Sequence, residues 1–287
     1  MKLAILTCER LPELLPSDKP LISMLAKKGI QATPAIWNDK TIDWKGFDAL
    51  LFRNTWDYYL LETEFNHWLS QIQSSGIKTL NPIETIQKNK HKFYLSELEA
   101  IGIKIIPTRF INQTNKLNLS VILPSNWEKA VVKPAFSAGS YLTEVFDREN
   151  VNEISKKYAP IAQTKELLLQ EFIPEVETHG ETSFIFFDKK FSHAVNKKPV
   201  KGDFRVQVQY GGEYTLVNPE KNILNTVEGI ISTYHEPLVY ARVDGIIIDG
   251  AFYLMEVELI EPDLYFSIKP SALTTFASAI AKNLFNT

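Results

Sequence analysis

Glu256 and Glu258 stand two apart on the run Phe252–Leu259, whose other members are apolar or aromatic. A second run, Val243–Ile248, carries Asp244 near its start, and Asp249-Gly250 joins the two. Asp-Gly between apolar runs signals a tight hairpin. Side chains two apart on a strand share a face, so both glutamates point the same way. Like charges side by side on a half-buried strand are costly unless a cation lies between them. An all-oxygen set of Asp244, Glu256 and Glu258 suits a hard divalent ion such as Mg2+. The bland alternative is a Glu-x-Glu edge strand facing water; the apolar flanks Ile246–Ile248 and Tyr253–Met255 speak against it.

Positive groups gather elsewhere in the second half. Lys133 ends the short apolar run Ala130–Val132 and precedes a run of small residues that includes Ser137 and Gly139. A loop of that kind lets backbone approach a ligand and hold phosphate oxygens, although the G-x-x-x-x-G-K-[ST] pattern is absent. In Gln170–Pro174 an apolar strand breaks into extended chain, as in slots that read an adenine edge; a plain crossover is the alternative. Lys197, Lys198, Lys201, Arg205 and Arg242 supply cations. Set against the three carboxylates they make a mixed site of the kind phosphoryl transfer needs, where positioning and charge stabilisation dominate. His193 reads as a structural residue. In the first half, Arg53-Asn54-Thr55-Trp56-Asp57-Tyr58 puts a cation, an amide, an anion and two aromatics in six residues. The alternative there is an internal Arg53–Asp57 pair with Trp56 in the core.

The elements that must carry these residues change character along the chain. Strand-like runs at Lys2–Leu6, Gln31–Trp37, Ala49–Phe52 and Lys78–Leu80 alternate with helical patterns at Lys19–Lys28 and Glu62–Ser75, the latter with Phe65, Leu69 and Ile72 on one face. This predicts a doubly wound α/β unit, whose ligands bind beyond the C-terminal ends of the strands. The loops Thr7–Arg10 and Arg53–Tyr58 leave those ends. A helix is predicted over Lys88–Ile101 and a strand over Lys104–Phe110. Strands follow at Leu167–Phe172, Glu181–Phe187, Phe191–Val195 and Phe204–Tyr210, with helices at Asn222–Tyr234 and Ser271–Leu284.

The chain of 287 residues has a net charge of −3, which gives no broad reason to expect nucleic acid. One cysteine, Cys8, excludes an internal disulfide or a cysteine-based zinc site. No apolar window reaches membrane-spanning length and no signal peptide is legible, so a cytoplasmic protein is expected.

Together these clusters resemble the ATP-grasp superfamily of carboxylate–amine ligases, which includes glutathione synthetase and D-alanine–D-alanine ligase. The resemblance covers nearly the whole chain. It implies an α/β plus α+β protein: a Rossmann-like N-terminal domain (1–88), a small lid subdomain (89–170) and a C-terminal ATP-grasp subdomain with the metal site (171–287). It implies ATP and Mg2+ (or Mn2+) as cofactors. Lys92, with Lys90 as the alternative, and Lys133 match the lysines that hold the phosphates, beside Ser137 and Gly139. Glu171, Phe172 and Ile173 match the adenine hinge and Glu181 the ribose ligand, with Met255 a further expected nucleotide-binding residue. Asp244, Glu256 and Glu258 match the metal carboxylates, and Lys198, Arg205 and Arg242 the catalytic cations. Many members carry Glu-x-Asn where this chain has Glu256-x-Glu258, and their small-residue loops carry more glycines. The loop Arg53–Tyr58, His193-Ala194, Gly202–Arg205 and Glu256–Pro262 are similar to the subgroup containing the cycloserine-forming enzyme.

The implied reaction activates a small carboxylate, or a carbamoyl-type group, as an acyl phosphate that an amine then attacks. Arg53, Asn54, Trp56 and Asp57 would face the cleft, with Arg53 on the carboxylate and Asp57 on the ammonium of an amino-acid-like substrate. A small-molecule kinase shares every nucleotide residue and differs only in its product. A non-catalytic nucleotide-binding module and a peptide-tagging ligase are further alternatives. No membrane or nucleic-acid partner is expected. No oligomer interface is legible, and a dimer is compatible with the sequence.

Overall fold

The computed structural model describes residues 1–200 and 211–285. The predicted strand Phe204–Tyr210, together with Lys201 and Arg205, lies outside the described residues.

The first part runs β1 (Lys2–Thr7), α1 (Pro20–Ala26), β2 (Gln31–Ile36), β3 (Ala49–Asn54), α2 (Glu62–Ser75) and β4 (Lys78–Leu80). Its strands pair in parallel in the order β2-β1-β3-β4. Leu3 to Leu6 and Ala49 to Phe52 are fully buried, as continuous apolar strands covered on both faces must be. Helix α2 buries Phe65, Trp68, Leu69 and Ile72 and ends at Gly76, whose φ of 71° closes it in the left-handed region. The predicted α/β unit is therefore present.

The second part holds α3 (Ile83–Asn89), α4 (Tyr94–Ala100), β5 (Thr108–Ile111), α5 (Leu119–Ile122), β6 (Lys129–Pro134), β7 (Glu144–Asp147), α6 (Val151–Ala162) and β8 (Leu167–Glu171). The strands form an antiparallel sheet, β5-β8-β6-β7. Helix α6 packs Ile154 and Tyr158 against Val132, Phe146 and Leu169. Two expectations need correction here. The helix predicted over Lys88–Ile101 is two helices, broken at residues 90–93. There the Lys92 amide donates to Ala135 O at 2.9 Å and its ammonium donates to Ser137 O. Contacts to the loop after β6 therefore override the helical period. The strand predicted over Lys104–Phe110 begins only at Thr108. Its first residues lie instead along another sheet, with Leu254 N donating to Lys104 O at 2.9 Å and Ile106 N to Leu254 O at 3.1 Å; Pro107 separates the two pairings.

The third part contains α7 (Glu175–His179), β9 (Glu181–Phe187), β10 (Lys190–Lys198), β11 (Glu213–Val217), α8 (Lys221–Ser232), β12 (Tyr240–Ile248), β13 (Ala251–Glu258) and α9 (Ala272–Phe285). The antiparallel sheet runs β11-β10-β9-β12-β13. Helix α8 buries Ile223, Val227, Ile230 and Ile231 in one core with α4 and Phe184, Phe186 and Phe252 of the sheet. Helix α9 joins the sheet to the N-terminal part through a core that unites Phe276 and Ile280 with Leu3, Ile5, Ile185 and Phe187.

The hairpin turn has φ of 49° at Asp249 and 75° at Gly250, the two left-handed residues that match the twist of paired strands. A register shift falls between Asp244 and Gly245. A Cβ on Gly245 would meet Tyr253 O and the Phe252 ring at 2.4 Å, so no larger residue fits. Below this bulge Asp244 faces Glu256 and Arg242 faces Glu258 across the strands.

Strand β13 is an edge strand, yet water does not solvate its outer rim along residues 257–259. Asn89 Nδ2 donates to Val257 O at 2.7 Å while its Oδ1 accepts from Leu259 N at 2.9 Å. The Tyr94 hydroxyl donates to Val257 O at 3.0 Å and accepts from Val257 N at 2.8 Å. Two side chains thus substitute for a neighbouring strand. No helix among the described residues is long and apolar enough to cross a membrane.

Candidate active site

The three sheets enclose a cleft of about 490 Å3. The second sheet contributes Lys133 and the loop Ser137, Ala138 and Gly139 on one wall, and Glu171 with Phe172 and Ile173 on another. Strands β9, β10, β12 and β13 contribute Glu181, Lys197, Arg242, Asp244, Met255, Glu256 and Glu258, and the break between α3 and α4 contributes Lys92. The N-terminal part closes the mouth with Arg10, Trp56, Tyr58 and Tyr59.

Charges in the cleft are paired in an order set by strand alternation. Lys92 Nζ lies 3.0 Å from Glu256 Oε1. Arg242 spans two carboxylates: Nε and Nη2 donate to Asp244 at 3.0 and 2.9 Å, and Nη2 also donates to Glu258. Asp244 further accepts from Ser183 Oγ at 2.5 Å. Lys197 Nζ is 2.5 Å from Glu181 and 3.7 Å from Asp244. Burial works against the charge on Lys197, but Asp244 and Glu181 outweigh it and raise its pKa well above the usual lysine range. Burial opposes ionisation of Asp244 too, yet Arg242 and Lys197 hold it below the usual carboxylate range. Enclosure drives Lys133 the other way, down to about 8, with the Lys92 charge adding to the shift and Glu256 opposing it. Glu258 is pushed well up by burial, with Glu256, Asp244 and Glu261 adding to the shift and Arg242 opposing it.

Of the residues expected at the site, Lys92, Lys133, Ser137, Gly139, Glu171, Phe172, Ile173, Glu181, Met255, Trp56, Arg242, Asp244, Glu256 and Glu258 line the cleft. Others do not. Arg53 is fully buried, its guanidinium bonded to Asp18 at 2.9 Å and to Pro262 O at 2.9 Å, beneath the rings of Phe266 and Phe276. Asn54 is buried and accepts from Leu15 N at 3.0 Å. Asp57 accepts from Trp37 Nε1 at 2.7 Å inside the N-terminal part. None of the three reaches the cleft, because β3 continues to Asn54 and turns these side chains into the protein. The internal pair considered as the alternative, Arg53–Asp57, is also incorrect: the partner of Arg53 is Asp18. Arg53→Met leaves Asp18 buried and unpaired, and is expected to cost about 3–5 kcal/mol of stability in denaturant unfolding; a loss below 1 kcal/mol would contradict the structure. Lys198 is exposed, on the opposite face of β10 from the cleft, where Lys197 takes the place expected of it. Arg205 lies outside the described residues.

Sequence reasoning named Lys197 only among the cations of the mixed site, with Lys198 preferred as catalytic, and did not single out Arg10, Glu261 or Asp263. Strand alternation through Glu181 and its antiparallel partner at 197 could have separated Lys197 from Lys198. The Glu261 signal was only a third acid after Glu256 and Glu258, in a segment without regular structure. Glu261 is buried, and burial with the nearby Glu256 lifts its pKa to about 7.

Mg2+ fits part of the expected ligand set. Glu256 and Glu258 share a face at 29% and 24% side-chain exposure; burial and then the nearby Glu256 raise Glu258, and a hard cation offsets both. Asp244 does not fit as the third ligand: Arg242 and Ser183 occupy its oxygens. Among the described residues no three histidine, cysteine or acidic side chains cluster tightly enough to hold a metal without help.

A cleft between two α+β units, walled by two lysines, an extended hinge and paired glutamates, suits a bound nucleotide. Residues 92–269 match the prokaryotic glutathione synthetase ATP-grasp domain, and the chain belongs to that family. Residues 3–81 match the N-terminal domain of D-cycloserine synthetase DcsG. The chain is 28% identical over 278 residues to the cycloserine biosynthesis protein DcsG of Streptomyces lavendulae, covering 92% of this chain and 93% of that protein. It is 24% identical over 226 residues to the glutathione synthetase of Rhodopseudomonas palustris, with 77% and 67% covered. The crystal structure of D-cycloserine synthetase DcsG superposes with a TM-score of 0.86 at 25% identity, over 99% of this chain and 100% of that one. The ATP complex of the D-alanine–D-alanine ligase from Bacillus anthracis, at 16% identity, shares the fold with a TM-score of 0.70 over 100% and 98%. The chain is an ATP-grasp ligase, a class that uses ATP to form carbon–nitrogen bonds.

Proposed function

We propose that this ligase activates a small amino-acid-like substrate, at a carboxylate or carbamoyl group, for attack by an amine in a Mg2+-dependent reaction. The observation that carries this reading is the union, in one cleft, of Lys92, Lys133, the 171–173 hinge and the glutamate pair. Lys92 and Lys133 hold the nucleotide phosphates. Glu171, Phe172 and Ile173 line its base, Glu181 its ribose, and Ser137 and Gly139 close over it. Glu256 and Glu258 would hold the metal, which would supply positive charge at the phosphate end of the nucleotide. Arg242, spanning Asp244 and Glu258, stabilises negative charge as it develops. At the mouth, Arg10 offers a guanidinium to a substrate carboxylate, Glu261 and Asp263 offer acceptors to its ammonium, and Trp56 lies between them.

The division of the chain near residues 88 and 170, the cytoplasmic setting and a free small molecule as substrate belong to the same reading. Amino acids and their derivatives, offered singly and in pairs with ATP and Mg2+ while phosphate release is followed, test it. The expected result is turnover with a subset of them and an amide or cyclised product. A stable phosphorylated product identifies a kinase instead. No turnover, together with no thermal shift on adding ATP and Mg2+, overturns the assignment.

A further inference from the structure

Residues 259–264 leave β13, carry Glu261 and Asp263 into the cleft wall, and belong to no helix or strand. Buried irregular backbone must find partners for its carbonyls. Here each of six successive carbonyls is taken by a different side chain. Asn81 Nδ2 donates to Leu259 O at 2.8 Å. The Tyr240 hydroxyl donates to Ile260 O at 2.7 Å. Trp56 Nε1 donates to Glu261 O at 2.9 Å, and Arg53 Nη1 to Pro262 O at 2.9 Å. Arg242 Nη1 reaches Asp263 O at 3.1 Å, and His193 Nε2 reaches Leu264 O at 3.1 Å. Burial drops the His193 pKa to about 4, so the ring is neutral and carries its proton on the nitrogen that donates.

Three donors come from the N-terminal part and three from the large sheet. The segment is therefore sewn to both walls of the cleft at once. Asn81 shows how strictly: besides Leu259 O it holds Tyr240 O at 2.9 Å and accepts from Val239 N at 2.8 Å. Because each donor grips main chain, it fixes the path of the backbone, and the path decides where Glu261 and Asp263 stand.

We infer that Arg53, Asn81, Tyr240 and His193 are positioning residues for the amino-acid-like substrate, acting through the backbone of 259–264 and never touching substrate themselves. This rests on the cleft being the ligase site proposed above. Their effect is selective. The nucleotide end of the cleft, at Lys133 and residues 171–173, is built from other elements, so loosening the segment disturbs the substrate end and spares ATP.

Tyr240→Phe tests the inference with the loss of one buried hydroxyl. His193→Phe, which removes the donor to Leu264 O, serves as the second variant. Amide hydrogen exchange on protein without substrate is expected to show residues 259–265 exchanging at least about tenfold faster, with β9 and β12 unchanged. In kinetics, kcat/KM for the amino-acid-like substrate falls about 10–100-fold, as for displacement of a positioning group, while KM for ATP stays within about twofold. Unchanged exchange in both variants, or KM values for ATP and substrate rising together, overturns it. The arms separate the two readings: wild-type protein that turns over no substrate refutes the ligase assignment, whereas active wild type with indifferent variants refutes the positioning role.

Discussion

Glu256→Gln is expected to abolish turnover while leaving the fold largely intact. Glu256 is the one glutamate of the pair held by a lysine rather than by Arg242, at 3.0 Å from Lys92 Nζ. Its side chain is 29% exposed, so an amide of equal size enters without a packing change. The amide removes the charge that both Lys92 and a hard cation require. Charge stabilisation at a transferring phosphoryl group is worth roughly three orders of magnitude or more in rate, and a loss of that size in phosphate release is expected. The melting temperature of the variant is expected within a few degrees of the parent, because Lys92 keeps its bond to Ser137 O. Titration with Mg2+ should show saturation lost or shifted to much higher concentration. A rate within about tenfold of the parent would remove Glu256 from the reaction.

Lys133→Met carries the second large effect. Lys133 lies near the end of β6 at the cleft, where burial, aided by the nearby Lys92, disfavours its charge and lowers its pKa from 10.5 to about 8. A nucleotide phosphate reverses that, because an anion favours the protonated form. The sign follows from linkage. Between pH 8 and 10.5 the free native protein holds fewer protons at this site than the unfolded chain, so its stability rises with pH across that window. The nucleotide complex holds the proton, so ATP binding takes one up there, and ATP affinity falls as the pH climbs above about 8. Calorimetry in two buffers of different ionisation enthalpy reads the uptake directly; none at pH 8.5 would contradict the assignment. In Lys133→Met the uptake disappears, kcat/KM for ATP falls by about 10²–10³-fold, and the free protein is at least as stable as the parent.

Much of this arrangement was legible in the chain. The parallel unit rests on apolar runs such as Leu3–Leu6 that tolerate only one kind of burial, and the Asp249-Gly250 turn has one common geometry. The face shared by Glu256 and Glu258 follows from the strand period alone. What failed did so for a common reason: the deciding contacts are distant in sequence. Arg53 looked like a ligand for substrate because Asp18, its partner 35 residues away, carries no pattern of its own. The helix over Lys88–Ile101 broke because Ala135 and Ser137 capture Lys92. Lys198 was preferred to Lys197 although both lie on one strand; only the identity of the neighbouring strands says which face is the cleft. The carbonyl grips on 259–264 were beyond any pattern, since a side chain that bonds to main chain leaves no trace in the residue it holds.

That last property bears on how such an enzyme can diverge. Donors that recognise carbonyls are indifferent to the side chains of the residues they hold. Position 261 can therefore exchange one side chain for another without altering the backbone that presents it, whereas Asp263 also holds that backbone itself, its Oδ1 accepting from Tyr265 N at 2.8 Å. Under the proposed positioning role, specificity can drift at position 261 while the scaffold stays fixed, and the mutational constraint falls on Asn81, Arg53, Tyr240 and His193. A library confined to position 261 is thus the economical route to new amine or carboxylate partners for the proposed ligase.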